Sequence, residues 1–140
     1  MTDYLLDTNH LAYWYDQNRR EHEKVVGRIQ ALRQGGPAGE YVPRLFISVV
    51  TVGEIEYGHR VTNTGNPAEQ AQYSAFVREQ CPQPLDITDH VARQYGEFRA
   101  WLFNTYRDRK KRTKARRPEE LVDPATAREL GIQENDIWIA

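Results

Sequence analysis

Apolar positions along the chain fall into brief runs that alternate with longer periodic stretches, and this alternation begins within the first residues. Tyr4-Leu5-Leu6 is a short apolar run closed by Asp7-Thr8-Asn9, whose side chains favour turns and helix caps, so it reads as a buried strand entering a helix. The acid then stands at the strand's carboxyl end. A helix is predicted over residues 21–34, ended by the loop Gly35-Gly36-Pro37-Ala38-Gly39. Residues 45–50 are rich in β-branched side chains and read as a second buried strand of the parallel kind. Ser48 or Thr51 can cap the next helix, which runs through His59 with Val52, Ile55 and His59 on one stripe and Glu54, Gly58 and Val61 on another.

Beyond a loop at residues 62–67, residues 68–79 read as helix up to Cys81-Pro82, and Pro84-Leu85-Asp86-Ile87 as a short strand weakened by its prolines. From Thr88-Asp89 the pattern sharpens into an amphipathic helix, with Val91, Tyr95, Phe98 and Leu102 recurring at i, i+4, i+7 and i+11. Residues 118–128 carry no single reading. Leu130-Gly131-Ile132 can touch a core, and Asn135-Asp136 can cap a last helix starting at Ile137. Strands alternating with helices, without internal repeats, predict an α/β fold with a central, mostly parallel sheet.

Composition sharpens this picture only in places. A length of 140 residues fits a single domain over 1–140, and 39% apolar content with three Trp, eight Tyr and four Phe is enough to bury a core. Cys81 is the sole cysteine, which excludes an intrachain disulfide and a cysteine-based zinc site and predicts a reducing, cytoplasmic setting. The N-terminal run is too short and too acidic for a signal peptide or a membrane span. The net charge of −1 conceals an uneven distribution: residues 107–117 (RDRKKRTKARR) carry +7 and the rest of the chain −8. Such a basic insertion reads equally as a phosphate-binding strip or as a solvated loop.

Active residues in an open parallel sheet collect beyond the carboxyl ends of the strands, where Asp7 and Glu54 are both predicted. Carboxylates brought together there repel unless a proton or cation lies between them. Oxygen ligands without histidine or thiol partners favour Mg²⁺ or Mn²⁺. Asp136 can close a third side of such a cluster. His10, His22, His59 and His90 lack the paired spacing of zinc ligands and read as ordinary surface or helix residues. For Asp7 taken alone, a structural helix cap is the better explanation.

Taken as a set, LLDTN at the first strand, ISVVTVGEIEYG at the second strand and its helix, PLDITDHVARQYGEFRAWL, and GIQENDIWIA resemble the PIN-domain family, especially its VapC-type toxin ribonucleases. The likeness covers nearly the whole chain apart from the basic insertion. It implies a three-layer α/β/α sandwich and a divalent-metal-dependent endoribonuclease using Mg²⁺ or Mn²⁺. Asp7, Glu54 and Asp136 fall on the family's acidic metal-binding positions, and Asn9 and Ser48 on polar positions that steady them. Glu56 rivals Glu54, but the E-x-x-x-G spacing to Gly58 favours Glu54. RNA, a cognate antitoxin and a second copy of the chain are the implied partners, with Lys110, Lys111, Arg112 and Lys114 as candidate RNA-binding residues. The family pattern continues past Ile139-Ala140 into a further strand and a fourth Asp or Asn, so either the chain as given is shortened or this member lacks the last βα unit. The competing readings are a catalytically impaired nucleic-acid- or protein-binding module and a phosphatase with an aspartyl nucleophile. The second is disfavoured because Asp7-Thr8-Asn9 has no Asp two residues after Asp7.

Overall fold

The computed structural model describes residues 2–35, 41–61, 65–109 and 117–140, which form two compact units, Met1–Asp86 and Ile87–Ala140. The architecture is compatible with an α/β fold: helices predominate and a small parallel sheet lies in the first unit. There, β1 (Tyr4–Leu5) and β2 (Leu45–Phe46) pair in register, Tyr4 opposite Leu45 and Leu5 opposite Phe46. The Tyr4 amide donates to the Arg44 carbonyl at 2.9 Å and the Leu6 amide to the Phe46 carbonyl at 2.8 Å. Since alternate residues of a parallel strand serve opposite sides, the N–H and C=O of Leu5 are directed away from β2. On the other side of β2, Leu85 continues the ladder through a parallel bridge with Ser48. Its amide donates to the Ile47 carbonyl at 2.8 Å and its carbonyl accepts from the Val49 amide at 3.0 Å. The strand expected at residues 84–87 is therefore a single bridge, and Pro84, lacking an N–H, cannot extend it.

Among the described residues, four helices complete this unit: α1 (Thr8–Tyr15), α2 (His22–Gln34), α3 (Val49–Val61) and α4 (Pro67–Gln80). The second strand is shorter than expected, because the chain turns helical at Val49 instead of staying extended to Val50. Ser48 decides this boundary. Its hydroxyl accepts from the Val50 amide at 3.1 Å and its carbonyl from the Val52 amide at 3.2 Å, and this capping outweighs the β preference of two valines. Asn66 caps α4 with Pro67 in the first helical position, which starts that helix one residue before the predicted range, and the helix ends at Gln80, one residue beyond it. The core joins Leu11, Ile47, Ile55, Val77 and Cys81, with Trp14 and Phe76 edge to face against it. At the amino end of the ladder, the Arg44 guanidinium grips the Asp3 carboxylate at 2.8 Å and holds its pKa below the usual range.

Tyr73 on α4 lies between Tyr15 and His59, and its buried hydroxyl has no hydrogen-bond partner among the described residues. Burial pushes its pKa from 10.0 up to about 12. An unfolded chain would lose this proton first, so stability is unaffected below the unfolded value and falls as pH rises from 10 towards 12. Burial also raises the Cys81 thiol, which adds a loss of the same sign starting near its ordinary value. Tyr73→Phe removes the unpaired hydroxyl. It is expected to raise stability at neutral pH by about 1 kcal/mol and to flatten the alkaline decline, as read by denaturant unfolding across that pH range. A variant with lower neutral stability and an unchanged alkaline slope would contradict this.

The second unit is built on α5 (Asp89–Tyr106), a single 3₁₀ turn at Pro118–Glu120 and α6 (Glu134–Ile139). Thr88 caps α5 by accepting from the Val91 amide at 3.3 Å, as the Thr88-Asp89 signal predicted. Leu102, Leu121 and Ile137 form the core, with Tyr95, Leu130 and Ile132 packed on it. One member of the predicted stripe departs from it: Phe98 is exposed and stacks on exposed Trp101. Val122 and Glu129 form an antiparallel bridge across a tight turn in which Ala127 takes a φ of 55°.

The last helix also differs from expectation, since it starts at Glu134 and not at Ile137. Gln133 is its cap. Asp136 occupies the third helical position, reaching back to accept from the Gln133 amide at 2.8 Å. Trp138 lies flat on Tyr95, with ring centroids 3.7 Å apart and planes 5° from parallel. Arg99 bridges to Glu134 at 3.0 Å, and the Tyr95 hydroxyl donates to the same carboxylate. Among the described residues, no helix is long and apolar enough to cross a membrane.

Candidate functional site

The parallel strands bring Asp7 and Glu54 to one edge of the first unit. Asp7 directly follows the β1 region and caps α1. Its Oδ1 accepts from the His10 amide at 2.8 Å and lies 2.6 Å from His10 Nδ1. Glu54 lies in the second turn of α3, which leaves the carboxyl end of β2. The two acids are tied together through Thr8, the first residue of α1, whose hydroxyl donates to Glu54 Oε2. Both carboxylates are half-buried. Both contacts of Asp7 with His10 fall on the same oxygen, which leaves Oδ2 outside them.

His10 is an exposed residue of α1, as its isolated spacing predicts. It stands in the third position after the Asp7 cap, where a side chain returns over the helix start, and the spacing D-T-N-H is the signal for that contact. Glu56, the rival to Glu54, is engaged one turn along its own helix with Arg60 at 2.5 Å. Ser48 is buried and fixes the first turn of the helix that carries Glu54. Asn9 is exposed in the first turn of α1, and its side chain has no hydrogen bond among the described residues.

Asp136 belongs to the second unit, where one of its oxygens caps α6. Among the described residues, no group of three His, Cys, Asp or Glu side chains is arranged to hold a metal ion. Lys110, Lys111, Arg112 and Lys114 lie outside the described residues. Set against family models, curated proteins and solved structures, the chain finds no match.

The donor chemistry of the pair suits a hard cation. Both residues offer carboxylate oxygens, and Mg²⁺ is commonly held by one or two protein carboxylates, with substrate phosphate and water supplying the remaining oxygens. His10 Nδ1 faces Asp7, so the imidazole buttresses a carboxylate, an arrangement found behind metal ligands as well as at plain helix caps.

Proposed function

We propose that the protein is a divalent-metal-dependent endoribonuclease of the PIN-domain toxin type, with the three-layer α/β/α arrangement of that family. The observation that supports it best is the hydrogen bond from Thr8 to Glu54, which brings an acid from the end of β1 and an acid from the end of β2 to one edge. Asp7 and Glu54 would hold the Mg²⁺ or Mn²⁺ ion, and the family resemblance assigns the third acidic position to Asp136. The ion supplies Lewis-acid polarisation of a phosphodiester and stabilises the charge that develops on its oxygens. The protein's own groups do the positioning. Thr8 orients the Glu54 carboxylate, and His10 with the α1 amide fixes the rotamer of Asp7. Ser48 sets the start of α3 and with it the height of Glu54 above the sheet. Residues 107–117, including Lys110, Lys111, Arg112 and Lys114, would hold the RNA backbone by charge. A cytoplasmic homodimer restrained by a cognate antitoxin goes with this reading.

A second reading, a non-catalytic binding module, draws on a specific observation. Asp7 and Asp136 each make the backbone contact of a helix cap, a structural task that needs no cation. Incubating the full chain with single-stranded RNA and Mn²⁺, with and without chelator, separates the two. The nuclease reading expects chelator-sensitive cleavage that Asp7→Asn abolishes. Asparagine caps helices as well as aspartate does, so α1 is kept while the charge is lost. Metal-independent RNA binding without cleavage, unchanged by Asp7→Asn, would establish the binding module instead.

A further inference from the structure

Beside β1 lies an open cavity of about 470 Å³ whose lining is mostly apolar. Leu6, Val25, Ile29 and Leu32 form much of it, and Leu5, 41% exposed, stands at its border. The apolar stripe of α2 therefore faces a trough that the described side chains of the first unit do not fill. Lys24 and Arg28, one turn apart on α2, line the same cavity, and neither forms an ion pair among the described residues; Glu21 lies one turn earlier. The backbone adds a second, independent feature. Leu5 directs its N–H and C=O away from β2, and among the described residues β1 has no strand on that side. An edge strand with an unpaired donor and acceptor is a template for another extended chain.

We propose that the outer edge of β1, with the trough between β1 and α2, is a docking site for an extended peptide segment bearing alternating apolar side chains and an acidic end. Strand addition supplies the backbone pairing through Leu5, and alternate side chains of the added segment enter the trough at the two-residue repeat of a strand. Lys24 and Arg28 exceed Glu21 by one charge, which selects an acidic flank over a basic one. His10, whose ring faces Asp7, also lines this cavity, so the trough adjoins the acidic pair without using its carboxylates, and the proposal does not depend on the nuclease reading.

The test uses the full chain and a labelled synthetic peptide of alternating valine and threonine ending in two aspartates, with binding followed by fluorescence anisotropy. Saturable binding is expected. It should weaken roughly tenfold in Leu5→Pro, the loss of about one hydrogen bond, because proline removes an N–H that the β1–β2 ladder does not use. A peptide N-methylated along one edge provides the same test on the unmodified protein and should bind roughly tenfold more weakly. Exchanging the aspartates for lysines should also reduce affinity. Equal binding of the plain and N-methylated peptides, equal binding of the acidic and basic peptides, or no saturable binding would overturn the proposal. So would self-association of the chain that Leu5→Pro abolishes, since the occupant would then be a second copy.

Discussion

Replacing Leu11 with alanine is expected to destabilise the first unit by about 2–5 kcal/mol, the range for emptying a fully enclosed leucine site. Leu11 has no exposed surface and lies in the cluster with Ile47, Ile55, Val77 and Cys81, where it joins α1 to the end of β2 and to α3. The void would open between elements that meet on several sides, so little collapse can relieve it. Denaturant titration followed by circular dichroism should show a lower midpoint with an unchanged slope. A loss under about 1 kcal/mol would mean that this side chain is not enclosed as described.

The largest expected effect on activity is at Glu54. Glu54→Gln keeps the length of the side chain and an oxygen that can accept from Thr8, but removes the negative charge. If the acidic pair holds a cation, Mn²⁺-dependent RNA cleavage should fall about a hundredfold or more, at or beyond the upper end of the cost of losing a supporting group around a metal. Stability should move by only about 0.5 kcal/mol, because the packing and the hydrogen bond survive. Thr8→Val separates positioning from charge. It removes the hydroxyl that aims Glu54, and its deficit should shrink at high Mn²⁺, whereas that of Glu54→Gln should remain. Equal cleavage by the parent and Glu54→Gln would remove Glu54 from the chemistry.

Features with a short-range cause were legible in the sequence. Asp7 and Thr88 were readable as helix starts because the cap and the amides it serves lie within three residues, and both cap the predicted helices. The parallel pairing of β1 with β2 followed from two apolar runs separated by a helix. Val49 and Val50 were misread because β-branching favours a strand, while a single hydroxyl at Ser48 had already begun the helix. Phe98 keeps the helical period yet faces outward against Trp101, since periodicity marks a stripe without saying how wide its covered part is. Asp7 and Glu54 are both expected beyond strand ends, but the contacts of Thr8 with Glu54 and of His10 with Asp7 depend on side-chain reach across turns that no spacing rule reports. Tyr73 shows the same limit: nothing in PAEQAQYSAFVREQ marks one hydroxyl as buried without a partner.

The six residues of α6 are too few to hold a helix by backbone hydrogen bonding alone. Their order is borrowed from one flat ring laid upon another, Trp138 on Tyr95, and from the carboxylate of Glu134 shared by a guanidinium and a phenol. Asp136 rides on that segment. Whatever loosens the aromatic clasp should therefore also unwind the turn in which Asp136 accepts from the Gln133 amide.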